Sequence, residues 1–216
     1  MSDISPTLGR PRSVSTYNTG NLSEQEIVDA AIRIVRDDGL EKLSMRRLSR
    51  ELGVSAMAPY HYVADKDALL DLVASAALSD IRKPAAESGP WQARLRSVLD
   101  QIDEKLRTHR GIAELLLNQM LHKQRRLVEV VMDILFDAGF SDRDVLLAYS
   151  MIHSYLYGRN RASRSELIIP EDDALPETLA RATAYVEELR GRDFYEFGVS
   201  ALIAGLEAKL RSTVDS

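Results

Sequence analysis

Between Met45 and Lys66 the chain reads MRRLSRELGVSAMAPYHYVADK. No other stretch gathers so many groups that grip nucleic acid without a covalent step. Arg46 and Arg47 offer guanidinium forks, Lys66 a compact ammonium, Tyr60 and Tyr62 phenolic hydroxyls and His61 an imidazole. Such groups bond phosphate oxygens and base edges. Ser55, Ala56, Met57 and Ala58 are small or unbranched, so a backbone carrying them approaches base edges and thymine methyls closely. The chemistry expected of this stretch is recognition of a duplex, not turnover.

Signals for catalysis are missing from the sequence. There is no cysteine, which removes disulfides, thiolate metal sites and cysteine nucleophiles. The four histidines, His61, His109, His122 and His153, form neither an H-E-x-x-H nor a Glu-x-x-His pair. No G-x-S-x-G elbow, phosphate-binding loop or dinucleotide glycine pattern is present. The expectation is a protein that is not an enzyme, with no cofactor and no metal. A helical enzyme without a motif and a module that docks a protein on residues 44–62 are the alternatives. A salt-sensitive affinity for a palindromic duplex separates the three.

The 216 residues are 45% hydrophobic and 28% charged, as in a globular chain with one large or two small domains. The net charge of -5 speaks against nucleic acid as a partner. Its distribution answers that objection. From Glu41 to Lys66, the bases Lys42, Arg46, Arg47, Arg50 and Lys66 outnumber Glu41, Glu51 and Asp65, and the excess acid lies beyond residue 83. A polyanion responds to the local face. No apolar run approaches the ~18 residues of a membrane span, and no secretory signal opens the chain. A cytoplasmic protein is expected, with no membrane partner.

The elements that must hold these groups are helical throughout. Residues 1–21, rich in Ser, Thr, Pro, Gly and Asn, read as a flexible arm. Ser23 and Glu26 form a capping box, followed by Ile27, Ala31, Ile34 and Val35 at helical spacing. Ser44 caps a second helix with Met45, Leu48 and Leu52 inward, and Gly53 supplies a tight turn. Ser55 then caps a short third helix near 56–62, so the segment is a helix-turn-helix. Pro59 lacks the N–H that the first turn needs, which predicts an irregular start. Asp65 caps a fourth helix running to about 82, before Pro84. The stretch 83–90, KPAAESGP, divides a head, 22–83, from an effector-binding and dimerisation domain, 84–216.

Beyond the break, helical patterns start at Pro90–Trp91, near 111–118, over 121–138 and over 141–160. A polar loop over 161–175 follows. Pro176 opens the next helix to Leu189, and an Asp193–Glu196 capping box opens the last, to Leu210. The fold class expected is all-α, with about nine to ten helices and no strand.

Residues 22–83 resemble the DNA-binding domain of the tetracycline-repressor (TetR) family. The resemblance rests on IVDAAIRIVRDDGLEKLSMRRLSRELGVS followed by APYHYVADKDALLDLV. The Tyr and Lys of the second segment are specific, since a generic helix-turn-helix needs neither. FYEFGVSALIAGLEAKL, near the end, is similar to the family's dimerisation helix. The resemblance implies a homodimeric regulator, a repressor by the family's habit, that binds a palindromic operator and is released by a small-molecule effector. It implies phosphate contacts from Tyr60 and Lys66, a backbone or base contact from Arg46, and a groove-facing helix with Met57, Ala58, His61 and Tyr62. Tyr-His-Tyr at 60–62 departs from the family's commoner Tyr-Arg-His. Which of His61 and Tyr62 meets phosphate therefore stays open.

In the last helix Gly198, Ala201 and Gly205 sit among Phe197 and Leu202, small residues at a spacing that lets helices approach. A dimer seam against 141–160 is one reading, and packing within one chain the other. For the effector, Tyr149, His153 and Tyr157 share one helix face, Asn118, Gln119 and His122 cluster between two shorter helices, and Trp91 follows the break.

Overall fold

The computed structural model describes residues 22–108, 113–120, 124–162, 176–185, 188–189 and 191–214. The arm 1–21, and the expected loop from residue 163 to 175, lie outside them. The described residues form an all-α fold of nine α-helices and three short 3-10 turns, without a strand.

Helix α1 (Glu24–Asp38) starts at the anticipated capping box: the Ser23 hydroxyl accepts from the Glu26 N–H, and the Glu26 carboxylate accepts from the Ser23 N–H at 2.8 Å. Its apolar stripe, Ile27, Ala31 and Ile34, is buried together with Leu43, Leu48 and Leu69. Each large side chain so buried contributes roughly 1.5–3 kcal/mol. Helix α2 (Met45–Leu52) is capped by Ser44, whose hydroxyl accepts from the Arg47 N–H. Helix α3 (Lys66–Leu78) is capped by Asp65, which accepts from the Ala68 N–H at 2.8 Å.

The third helix of the sequence reading is a single 3-10 turn, Ala58–His61. Ser55 makes no side-chain cap there, because the turn starts later and Met57 takes the cap position. Pro59 explains the form. With no N–H on Pro59, the segment closes through short-range bonds instead, Ala58 to Ser55 at 3.1 Å, Tyr60 to Met57 at 3.1 Å and Tyr62 to Pro59 at 3.0 Å. Helix α3 also ends before the expected 82. The Ser79 hydroxyl bonds the Ala76 carbonyl at 2.9 Å, and Ile81 is buried just outside the helix.

Six helices follow: α4 (Trp91–Thr108), α5 (Ala113–Met120), α6 (Arg125–Asp137), α7 (Asp142–Ala162), α8 (Glu177–Thr183) and α9 (Gly191–Val214). Pro176 is the cap of α8 rather than its first residue, and Asp193 lies within the first turn of α9 rather than before it. Helix α3 packs on α1 at one side and on α4 and α5 at the other, so a single apolar core runs from the head into the C-terminal helices.

Candidate nucleic-acid interface and effector region

Gly53 closes α2 in the left-handed region, φ 67° and ψ 26°, and the Val54 N–H returns to the Ser49 carbonyl at 3.0 Å. The chain is thereby aimed across the head. Pro59 and Val63 then anchor the 3-10 turn in the core. Between these anchors the side chains face out: Met57 is 65% exposed, Tyr60 44% and Tyr62 37%, with Ser55, Ala56 and His61 also exposed and Ala58 half-buried. The segment is raised above its own hydrophobic support, as docking into a groove requires.

The basic residues divide into free and engaged. Arg46 and Lys66 are exposed, and neither makes an ion pair among the described residues. Lys66 is the first residue of α3, where unpaired backbone N–H groups also favour an anion. Arg47 is committed elsewhere. It bonds Asp38 at 3.0 Å and Glu51 at 2.7 Å, and these carboxylates raise its pKa. Arg47 thus ties α2 to the end of α1. Tyr62 is also engaged, its hydroxyl donating to the Leu22 carbonyl ahead of α1. Among the described residues, His61 and Tyr60 have no hydrogen-bond partner at their polar tips. The sequence reading missed Arg50, which is exposed one turn from Arg46 on the same face of α2. Its i, i+4 spacing from Arg46 was the available signal.

In the C-terminal half, Tyr149, His153 and Tyr157 come together as expected. Their rings are near parallel, 6.2 Å apart with an interplanar angle of 22° and 6.4 Å apart with 20°. His153 Nε2 lies 2.9 Å from the Leu117 carbonyl of α5, which can only accept, so Nε2 is the donor. The Tyr149 hydroxyl is buried with no hydrogen-bond partner among the described residues, and burial pushes its pKa up to about 12. Trp91 does not join this group; it meets Phe140 edge-on at 5.6 Å. The Asn118 and Gln119 side chains, and His122 entirely, lie outside the described residues.

Helices α7 and α9 form an open groove of about 580 Å³, lined by Leu147, Met151 and Tyr155 on one side and by Gly198, Ala201, Leu202 and Gly205 on the other. Asp144 and Lys209 also line it, and Phe197 next to Gly198 on α9 is 79% exposed. The two glycines differ. A methyl group on Gly198 would lie 2.1 Å from the Tyr155 hydroxyl, which donates to the Phe194 carbonyl at 2.9 Å. Gly198 therefore serves the contact of α7 with α9 inside one chain. A methyl group on Gly205 meets nothing within 4 Å. Among the described residues no cluster of His, Asp or Glu fits a metal, and no helix is long and apolar enough to cross a membrane.

Residues 27–73 match the family model of bacterial regulatory proteins, tetR family, and residues 83–210 match that of the tetracyclin repressor-like C-terminal domain. The class D tetracycline repressor of Escherichia coli is 29% identical over 199 residues, covering 88% of this chain and 91% of its own. A helix-turn-helix transcriptional regulator of Saccharopolyspora erythraea is 31% identical over 175 residues, covering 80% of this chain and 71% of its own. BioQ, in a crystal structure with its natural double-stranded DNA operator, superposes with a TM-score of 0.62 at 26% identity, covering 86% of this chain and 98% of its own.

Proposed function

Since the chain belongs to the tetracycline-repressor family and is a DNA-binding transcription regulator, we propose that residues 55–66 are its groove-reading segment, carried twice by a homodimer. The observation that carries this reading is the outward stance of Met57, Tyr60 and His61 on a turn pinned inward by Pro59 and Val63. Arg46, Arg50, Tyr60 and Lys66 hold phosphates on the two sides of that turn. Met57 and His61 meet base edges. Arg47 and Tyr62 fix the segment from behind. BioQ, which binds a double-stranded operator, supports the same partner here.

The head comprises residues 22–83, and the remainder binds an effector and dimerises. Two heads of a twofold dimer face successive major grooves, ~34–36 Å apart or a multiple of that, so the operator is a near-palindrome. The dimer seam is the α7–α9 groove, which places two helices from each subunit in a four-helix bundle. The effector is a small molecule seated near Tyr149, His153 and Tyr157. It acts as an inducer by favouring a wider spacing of the heads, with α3 as the lever, and its differential affinity for the two spacings sets the release. The protein works in the cytoplasm as a repressor.

The test is equilibrium binding of the full chain to near-palindromic duplexes enriched from a random pool, at several salt concentrations. Affinity that falls steeply with salt, with one dimer per palindrome, is expected. Equal affinity for single strands, or indifference to salt, would overturn the assignment of residues 55–66. An effector that leaves operator affinity unchanged would overturn the switch.

A further inference from the structure

The middle of α4 is gripped from two flanks within six residues. On the flank toward the head, the Gln101 amide pairs with the backbone of Arg82. The Arg82 N–H donates to Oε1 at 2.9 Å, and Nε2 donates to the Arg82 carbonyl at 3.1 Å. One turn on, Lys105 bonds Asp80 at 2.6 Å. Asp80 and Arg82 belong to the connector that follows α3, so Gln101 and Lys105 hold the C-terminal end of the head.

The other flank faces α7 and α9. Tyr195 of α9 donates to Asp100 Oδ1 at 2.7 Å. Asp103 is fully buried and pairs with Arg159 of α7, with Arg107 at 3.4 Å and with Arg192 of α9 at 3.7 Å. The Arg159 and Arg192 guanidiniums also lie over the Tyr195 ring, 5.1 Å and 4.9 Å from its centre. At 3.6 residues per turn, positions 101 and 105 point roughly 150° away from 100 and 103. The same turn and a half of helix therefore holds the head with one face and the dimerisation helices with the opposite face.

The two grips differ in stiffness. A buried carboxylate that loses arginine partners is strongly unfavourable, and α7 and α9 sliding from α4 would leave Asp103 with Arg107 of its own helix alone. Displacement of α7 and α9 together therefore pulls on α4. The Gln101 amide, fitted to both polar groups of one residue, passes that displacement to the Arg82 backbone.

We propose that Gln101 and Asp103 are positioning residues, and that the Asp100–Lys105 segment of α4 transmits the placement of α7 and α9 to the DNA-binding head through Arg82. The proposal rests on the assignment of residues 22–83 as the head and of α7 and α9 as the seam. It concerns side chains that touch neither DNA nor effector in that assignment.

The experiment uses the full-length dimer and Tyr195→Phe, which removes one hydroxyl on the far flank of α4. Hydrogen exchange is followed at the Arg82 amide, with Leu99 and Ile102 as controls for the helix itself, and operator affinity is measured in parallel. Exchange at Arg82 should rise about threefold or more with the controls unchanged, and operator affinity should shift about three- to tenfold. Gln101→Ala should produce the same two changes, and the double variant should be no worse than Gln101→Ala alone, since both act on one line. Unchanged exchange at Arg82 in Tyr195→Phe, or additive effects on affinity, would overturn the proposal. If the controls also loosen, Arg192→Gln, at a half-exposed position, replaces Tyr195→Phe and must give the Arg82 signature. Absence of operator binding in every form would defeat the DNA reading, while exchange at Arg82 would still decide the coupling.

Discussion

Two of the surfaces that leave large apolar side chains in water are built on opposite plans. Around the 3-10 turn, the exposed groups are Met57 and two tyrosines, set among Ser55, Ala56 and His61 and flanked by Arg46, Arg50 and Lys66. Along α7 and α9, Leu147 and Met151 line a trough with Ala201 and Gly205, in which Asp144 and Lys209 are the charged residues and balance each other. A hydrated polyanion suits the first surface, because hydroxyls and cations at its edge replace water on phosphate. A copy of itself suits the second, because a mostly apolar groove with balanced charge gains from burial against another. Exposure of apolar groups alone does not tell the two uses apart. The rim does.

The largest expected break in this contrast is Gly205→Leu. A side chain there has open space in the single chain, so folding tolerates it, but it fills the trough that a second copy would enter. Dimer dissociation should strengthen about 100-fold or more, equivalent to ~3 kcal/mol. Sedimentation velocity should then report monomers whose thermal midpoint is close to that of the parent. An unchanged sedimentation profile would place the seam elsewhere.

Gly198→Ala, seven residues earlier on the same helix, should do the reverse. Its methyl group collides with the Tyr155 hydroxyl within one chain. Overpacking of this kind costs roughly 1–3 kcal/mol, to be read by urea unfolding, with the dimer retained once the chain is folded. If both glycine variants behave alike, the division of α9 into an inner and an outer face fails.

At the other surface, Lys66→Ala should lower operator affinity about tenfold on every sequence and reduce the salt slope by about 1. Arg47→Ala should leave the slope unchanged and lower the thermal midpoint instead, because its guanidinium is already bound to Asp38 and Glu51. Equal salt slopes for the two variants would mean that Arg47 lets go of its carboxylates on DNA.

This pair also shows how far the sequence carries. The caps at Ser23, Ser44 and Asp65 and the turn at Gly53 were legible because each is a local signal whose partner lies within a few residues. Pro59 predicted an irregular start, and the result is a 3-10 turn with Met57, not Ser55, at its head. The bond from Arg47 to Asp38 was not legible, since Asp38 lies nine residues away across a turn, whereas its partner Glu51 stands at the readable i, i+4 spacing. Nor was the bond from Tyr62 to Leu22, which spans 40 residues and decides which of two neighbouring aromatics turns back to the head. Trp91 reads as a pocket residue by type, and its T-shaped contact with Phe140 was not legible because the partner lies 49 residues on. The small residues of α9 gave one periodic signal, yet Gly198 meets Tyr155 of the same chain while Gly205 faces open space.

The smallest expected effect tests the interior that lies between the two surfaces. Tyr149 is buried with its hydroxyl unpartnered among the described residues, whereas Tyr195, equally buried, donates to Asp100. A buried hydroxyl without a partner opposes folding, so Tyr149→Phe should be neutral or stabilising by up to ~1 kcal/mol at pH 7 in chemical denaturation. The pH dependence fixes the cause. Burial raises the Tyr149 pKa from 10.0 to about 12, so below pH 10 the folded and unfolded chains are both protonated there and stability does not vary through this group. Between pH 10 and about 12 the unfolded chain ionises first and folding weakens. The Phe variant lacks this ionisation, so its advantage should widen across that window. A ligand acceptor placed on the hydroxyl would reverse its cost, and the same variant should then bind effector less tightly while being the more stable protein. Lower stability of Tyr149→Phe at pH 7 would mean that the hydroxyl already has a partner in the folded chain, and it would remove Tyr149 from the effector site.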